Sequence, residues 1–349
     1  MAANSILTII LNFRTPAMTL RSAAAALEEM EDLPGEVLII DNGSGDGSFE
    51  ALRAGATARG WLDSGRLRIE ASPVNGGFGA GMNIGFRARL SDGSRPDFYY
   101  LLNSDAFPEQ DCIGRLRDFL LSAPGAGLAG SYVHGEDGTP HCTLFRFPTI
   151  ASEFEGAART GVISRLLKHA IVPLEIPDDT QQVDWTAGAS MMIRREVIEA
   201  IGGFDETFFL YFEETELCHR AARAGWRTHY IPHSTVAHVG SASTGMKIWA
   251  RTPEFWLDSR LHYFTQTHGP IYAIGATLAR LLGGAVYGLR RLTSGKPRAD
   301  APHFHRDLLR HHFKRLLRPL PAPNPARPFA SDPVLEDTSH DIFNRRHWQ

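Results

Sequence analysis

The chain is poor in cysteine: Cys112, Cys142 and Cys218 are far apart, odd in number and form no C-x-x-C pair. Neither a disulfide framework nor a structural zinc site is expected of such a set. There is no basic surplus either. A formal net charge of -3 argues against a general nucleic-acid binder, whose domain would be strongly basic, so any cationic partner surface must be local. No run of 18 uninterrupted apolar residues occurs, which speaks against a clear membrane-spanning helix. The opening, MAANSILTIILNFRT, lacks a basic leader region and turns polar early, so it reads as a first strand rather than a signal peptide. These absences together predict residence in a reducing cytoplasm.

What is present is apolar bulk, 43% of 349 residues, enough for one large domain or one domain with an appended part. Short β-rich runs alternate with helical stretches: strands over 6–13, 36–42, 66–72 and 97–105, helices near 15–31, 47–59, 79–90 and 111–121. Near-continuous apolar strands separated by helices predict an α/β fold with parallel β-α-β units and both sheet faces covered. In such sheets ligands bind beyond the carboxyl ends of the strands. The polar residues there are Asn12, Asp41, Asn75 and Asp105; helix capping and turn chemistry explain many such residues singly, and all four together less readily.

Residues 151–182 read as an irregular insertion, with regular structure resuming at 183–205 and a strand at RTHYIP. After about Arg251 the character changes. The segment 269–292 is apolar but interrupted by Arg280. In 303–320, Phe304, Leu308, Leu309, Phe313, Leu316 and Leu317 recur at helical spacing beside Arg306, Arg310, Lys314, Arg315 and Arg318. The expected organisation is a catalytic domain over 1–250, a helical region over 251–320 and a Pro-rich tail over 321–349. The two helical segments fit either a peripheral contact with the cytoplasmic face of an inner membrane or packing on the domain, including a homodimer contact.

Three stretches carry chemistry. NGGFGAGMNIG (75–85) follows a strand and opens a helix, yet satisfies neither G-x-G-x-x-G nor the P-loop pattern; it supports a close backbone approach to a ligand or a strained turn. LLNSDA (101–106) sets Asn103 and Asp105 two residues apart, where an extended chain lets both converge on a divalent cation, or where a turn caps the next helix. FFLYFEETELCHRAARAGW (208–226) crowds Glu213, Glu214 and Glu216 at a helix start.

These stretches, with ILNFRTP, LIIDNGSGDGS, TAGASMMIRREVIEAIGGFDETFFLYFEETELCHRAARAGW and AHVGSAST, resemble the inverting family 2 glycosyltransferases of the rhamnosyltransferase-like group over about residues 5–245. The resemblance implies a GT-A fold and transfer of a sugar from a nucleotide-sugar to an acceptor hydroxyl, with Mg²⁺ or Mn²⁺ on the diphosphate. It places Asp41 on the nucleobase, and Asn12, Phe13, Asn75 and Gly76 around the nucleotide. LLNSDA stands where the family has D-x-D, making Asp105 a metal ligand and Asn103 a ribose or water-mediated contact. Trp185 and Gly188 would border the donor sugar and acceptor, and His238 would be a second metal ligand. The implied donor is dTDP-rhamnose and the acceptor a surface polysaccharide or lipid-linked glycan. A UDP-sugar-dependent hexosyl- or galactofuranosyltransferase and a nucleotide-sugar-binding module without turnover are the alternatives.

Inversion in a single displacement needs a carboxylate to take the acceptor proton. On a helix from Glu213 to Ala224 stopped at Gly225, about 100° per residue sets Leu217, Cys218, Ala221 and Ala224 on the apolar face. Glu214 falls within that arc, Glu213 at its edge and Glu216 on the far side, four residues before Arg220. Glu213 and Glu216 thus read as dipole-capping and surface-pairing acids, and Glu214 as the inward-facing base. The family also places its base second in the acidic pair, commonly as Asp.

Overall fold

The structure is a computed structural model that describes residues 4–240 and 249–318. The expected tail over 321–349 and the SAST end of the His238 stretch lie outside these residues. The first half alternates as its apolar pattern predicts: β1 (Ile6–Asn12), α1 (Pro16–Glu29), β2 (Gly35–Asn42), α2 (Ser48–Ala58), β3 (Leu67–Ser72), α3 (Phe78–Arg87) and β4 (Phe98–Asn103). β1 pairs in parallel with β2 and β4, and β2 with β3, giving the order β3-β2-β1-β4. Successive side chains go to opposite faces. Ile6 and Ile10 join the core against α1 and α2, while Leu7 and Ile9 join the core against α3. Burial on both faces is why these strands are apolar throughout.

The chain continues through β5 (Ala106–Pro108), α4 (Cys112–Ser122), β6 (Ala126–His134), β7 (Pro140–His141), β8 (Leu144–Phe145), α5 (Ile150–Ala158), α6 (Gly161–Leu166), β9 (Gln181–Val183), β10 (Trp185–Thr186), β11 (Ser190–Arg194), α7 (Arg195–Ile201), α8 (Glu213–Arg223) and β12 (Arg227–His238). β11 enters antiparallel between β4 and β6, β12 lies parallel to β6, and β5 closes on β12. The result is a mixed ten-stranded sheet with helices on both faces, as expected.

Two expectations need correction. Residues 151–182 are irregular only in part: α5 and α6 occupy the first half, and residues 171–180 carry neither helix nor strand. α5 starts from a reciprocal cap in which Thr149 Oγ1 accepts from Ser152 N at 3.1 Å and Ser152 Oγ accepts from Thr149 N at 2.7 Å. A serine takes the place of the usual Glu or Gln in such a box, which hides the signal. The strand expected at RTHYIP also runs on to His238, with a register shift between Ile231 and Thr235.

The last layer is α9 (Glu254–His268), α10 (Pro270–Ser294) and α11 (Phe304–Leu317). Arg280 does not interrupt α10; it pairs with Asp300 at 2.9 Å. Arg260, only 1% exposed, joins the layer to α5 through Glu153 at 2.8 Å and also donates within the layer to Thr277 Oγ1 at 3.2 Å. Glu254, Asp258 and His311 offer ligand atoms within 4.8 Å of one another. Those carboxylates are engaged by Lys314 and Arg315, so the cluster is an ion-pair clamp between α9 and α11. Cys112, Cys142 and Cys218 are all free thiols.

Candidate active site

The site forms where β1, β2 and β4 end. Asp41 is 4% exposed and accepts from Asn12 Nδ2 at 2.6 Å, Ser44 Oγ at 2.6 Å and Ser44 N at 3.2 Å. Asn12 is fully buried, and its Oδ1 accepts from Thr19 Oγ1 at 2.7 Å. Its amide is therefore committed to aiming Asp41 from beneath. Phe13 follows, half-buried, with the Arg14 guanidinium 5.0 Å from its ring centre.

Asn75 and Gly76 open the glycine-rich turn. Asn75 Oδ1 accepts from Gly77 N and from Asn42 Nδ2, both at 3.0 Å, and Asn42 Nδ2 also reaches Gly77 O at 3.0 Å. Sequence reading missed Asn42, since the acid beside it is the more conspicuous residue. Gly77 has φ +90°, and a Cβ there would lie 1.9 Å from the Phe209 carbonyl oxygen, which accepts from Phe78 N. Only glycine allows this approach. It docks the glycine-rich loop directly onto the segment leading into α8.

The second group lies at the end of β4. His238 Nε2 is 3.0 Å from Asp105 Oδ1 and 3.4 Å from the Asn103 amide nitrogen. The antiparallel register of β12 with β5 sets His238 opposite Ala106, bringing together residues 133 positions apart in the chain. Two ligands in adjacent positions around one divalent ion, each at about 2.1 Å, stand about 3 Å from each other, so the carboxylate and imidazole fit a shared cation. The His141 ring lies 6.2 Å from that of His238, a neighbour absent from the sequence reading.

The third group is the acid cluster. α8 runs from Glu213 to Arg223 with Gly225 at φ +90°, close to expectation. Glu214 is half-buried and its Oε1 lies 3.4 Å from Gly188 N; Phe78 crowds the same glycine. Burial raises its carboxyl above the usual range. The other two acids are not surface groups. Glu216 is buried and held bidentately by Arg220 at 2.6 and 2.8 Å, while Arg220 also donates to the Ile201 and Gly203 carbonyls. Glu213 is 2% exposed and its Oε2 has no hydrogen-bond partner. Burial first, and the Glu214 charge second, push its carboxyl well above the ordinary value. The expected pairing of Glu216 with Arg220 is present, but the helical arc misjudges the exposure of both acids, because their side of the helix faces protein rather than water.

Tyr211 and Phe212 enter α8 with φ of +69° and +68°, a left-handed conformation that costs bulky residues on the order of 1–3 kcal/mol each. Rings of the last layer hold them there: Phe255 and Trp249 on Tyr211, Trp256 and Tyr263 on Phe212. Ser259 Oγ donates to Leu210 O at 3.0 Å and His262 Nε2 lies 2.7 Å from Asp205 Oδ2. Residues 188–189 join the groups: Gly188 N faces Glu214, and Ala189 O accepts from Asn103 N at 3.0 Å. Trp185 stacks on Phe145 at 4.2 Å, beside this link.

Comparison with known proteins places the fold and the family. The chain is 27% identical over 254 residues to an N-acetylglucosaminyl-diphospho-decaprenol L-rhamnosyltransferase of Mycobacterium tuberculosis, covering 69% of this chain and 78% of that protein. It is 28% identical over 165 residues to the rhamnosyltransferase WbbL of Escherichia coli, covering 46% and 60%. Among solved structures, a mannosyltransferase from Pyrobaculum calidifontis in complex with GDP-Man and Mn²⁺ superposes with a TM-score of 0.53 at 15% identity, over 90% of this chain and 81% of the other. GalNAc-T7 with UDP, GalNAc and Mn²⁺ gives 0.53 at 11%, over 91% and 58%. These two show a shared GT-A fold. Residues 58–255 match the family described as Glycosyltransferase like family 2, and the chain belongs to that family of glycosyltransferases.

Proposed function

We propose that the protein transfers a hexose, L-rhamnose from dTDP-rhamnose, to a hydroxyl of a surface-polysaccharide or lipid-linked glycan acceptor, with inversion at the anomeric carbon. The two rhamnosyltransferase relatives support the sugar, and the Mycobacterium tuberculosis relative supports the diphospho-lipid type of acceptor. The observation that carries the mechanism is the short Gly188–Ala189 link, which ties Glu214 to the Asn103, Asp105 and His238 group. Residues 1–250 are the catalytic domain in this reading, and the helices within 251–320 clasp its base-bearing loop.

Asp41, held by Asn12 and Ser44, accepts from the pyrimidine edge; Phe13 and Asn75 flank the nucleotide and Gly76 lets the backbone approach it. Asp105 and His238 would hold Mn²⁺ or Mg²⁺, with Asn103 beside them, and a divalent ion supplies charge neutralisation to a departing diphosphate. Trp185 and Gly188 border the sugar and the acceptor. The Glu214 carboxylate accepts the acceptor hydroxyl proton while that oxygen bonds to the anomeric carbon and the bond to the nucleoside diphosphate breaks. A pKa raised by burial strengthens it for this task. Glu214→Gln tests the assignment: transfer should fall on the order of 10²–10⁴-fold with nucleotide binding retained. Unchanged turnover would remove Glu214 as the base. A donor panel of dTDP- and UDP-sugars assayed for hydrolysis with Mn²⁺ identifies the sugar.

A further inference from the structure

α10 is long and apolar enough to cross a bilayer by length and composition, yet it is packed on three sides. Ala273 and Ala276 meet Tyr263 and Phe264 of α9. Thr277 Oγ1 is 3.2 Å from His312 Nδ1, and Leu281 packs with Phe304 and Leu308 of α11. Gly275 lies against Ile150, and Gly283 against Phe154 and Ala157 of α5. At about 100° per residue, these contacts leave one arc open. Ile271, Ile274, Leu278, Leu282, Leu289 and Leu292 all fall within it, from 38% to 85% exposed. They form a single stripe from Ile271 to Leu292, about 32 Å at the helical rise. No charged residue falls on the stripe, and α10 contains no acid.

The surroundings are cationic. Arg165 and Lys168 are exposed at α6 beside exposed Val162 and Leu166; Lys296 and Arg298 are exposed just after α10. The apolar face of α11 is only partly covered. Phe304 and Leu308 are covered, while Leu309, Phe313, Leu316 and Leu317 are exposed beside Arg306 and Arg310. Arg291, Arg298 and Arg306, with Asp300, also line a cleft of about 290 Å³ at the far end of α10.

We propose that the α10 stripe, with the apolar faces of α6 and α11, lies in the plane of an anionic lipid surface. An uncharged stripe of this length flanked by Arg and Lys is the pattern of an interfacial helix. A spanning orientation is excluded by the other three sides, where the Arg260–Glu153 and Arg280–Asp300 pairs would enter hydrocarbon. The placement also gives the stripe a relation to the active site. Phe147 stacks on His219 of α8, His219 meets His268, and His268 stacks on Tyr272, next to Ile271 where the stripe begins. An acceptor carried by a lipid would approach the base along the membrane plane. The lipid contact itself does not rest on the assignment of sugar or base.

Flotation of the full chain with phosphatidylcholine vesicles, with and without about one third phosphatidylglycerol, tests the proposal. Binding to the anionic vesicles is expected. A Leu278→Glu, Leu282→Glu, Leu289→Glu variant should bind about tenfold or more weakly, with the circular dichroism melt and donor hydrolysis unchanged. A second readout does not depend on that triple variant folding: Leu282→Cys, in a Cys142→Ser background that removes the exposed thiol, is labelled with an environment-sensitive dye. A blue shift on adding anionic vesicles is expected. Absence of vesicle binding by the unaltered chain, undiminished binding by the triple variant, or no shift of the dye overturns the proposal. So does a dimer that the triple variant converts to monomer while vesicles bind neither form, because the stripe would then join two copies of the chain.

Discussion

The first half of the sheet and the helical layer at the C-terminal end hold their candidate site residues by opposite means. Around Asp41 and Asn75, the groups that orient each side chain lie a few residues away in sequence or on the adjoining strand, as Ser44 and Asn12 do for Asp41. Around Glu214 the support is remote. The chain enters α8 through two left-handed aromatic residues, and the groups restraining that entry come from α9, among them Ser259 to Leu210 and His262 to Asp205. The Asp41 and Asn75 groups are thus held within the β-α-β units alone, whereas the entry to the helix that carries Glu214 is restrained by a layer outside the sheet. The helices after residue 250 are tied to that segment by contact, even though their composition marks them as an addition.

The sharpest way to separate the two regions is to remove one anchor from each. Asp105→Ala and His238→Ala should each abolish the Mn²⁺ dependence of donor binding, read by calorimetric titration with and without the ion. Metal dependence that survives both would mean that these two side chains do not hold the ion. On the other side, Arg260→Ala leaves the Glu153 carboxylate without its main partner in a buried setting. A loss of about 3–5 kcal/mol in unfolding free energy is expected, read by urea denaturation. Replacing both residues, Arg260→Met with Glu153→Leu, should recover much of it. An Arg260→Ala chain as stable as the parent would show that the layer is only loosely held.

This contrast tracks what the sequence makes legible. The first four strands and their helices follow from apolar runs punctuated by Asn, Asp and Gly, because both the pattern and its cause are local. Asp105 and His238 were paired by family resemblance alone, since only the register of β12 on β5 brings them together. Glu213 and Glu216 were misread for a physical reason. A helical arc predicts which side meets the main core, and says nothing of a loop or second layer that covers the opposite side. On α11 the sequence leaves membrane contact and packing on the domain open, and the structure shows Phe304 and Leu308 covered with Leu309, Phe313, Leu316 and Leu317 exposed.

A smaller effect tests whether α9 positions the base. Ser259→Ala removes one hydrogen bond to the Leu210 carbonyl, worth about 1 kcal/mol. Acting on the approach to Glu214 rather than on donor contacts, it should lower kcat a few-fold and leave the donor KM unchanged. Ser259→Thr, which retains the hydroxyl, should restore part of the loss. If KM for the donor rises instead, the clasp supports the glycine-rich loop through the Phe209–Phe78 contact more than it supports the base.

The smallest expected effect concerns Glu213, and its sign follows from its surroundings. Its buried, partly unpartnered carboxyl is pushed well above the ordinary value by burial and by the Glu214 charge. A folded-state pKa above the unfolded one means that the native state binds the proton more tightly. Stability from this group is therefore complete below the unfolded value of about 4.3, and declines as pH rises toward the folded value. Glu213→Gln keeps the shape of the neutral acid and cannot ionise. Relative to the parent, its melting temperature should differ least in mild acid and gain steadily as pH rises, with transfer activity retained. A variant whose relative stability falls with rising pH would show that Glu213 is held as a stabilised carboxylate, sharing charge-dependent work with Glu214 rather than sitting beside it as a neutral neighbour.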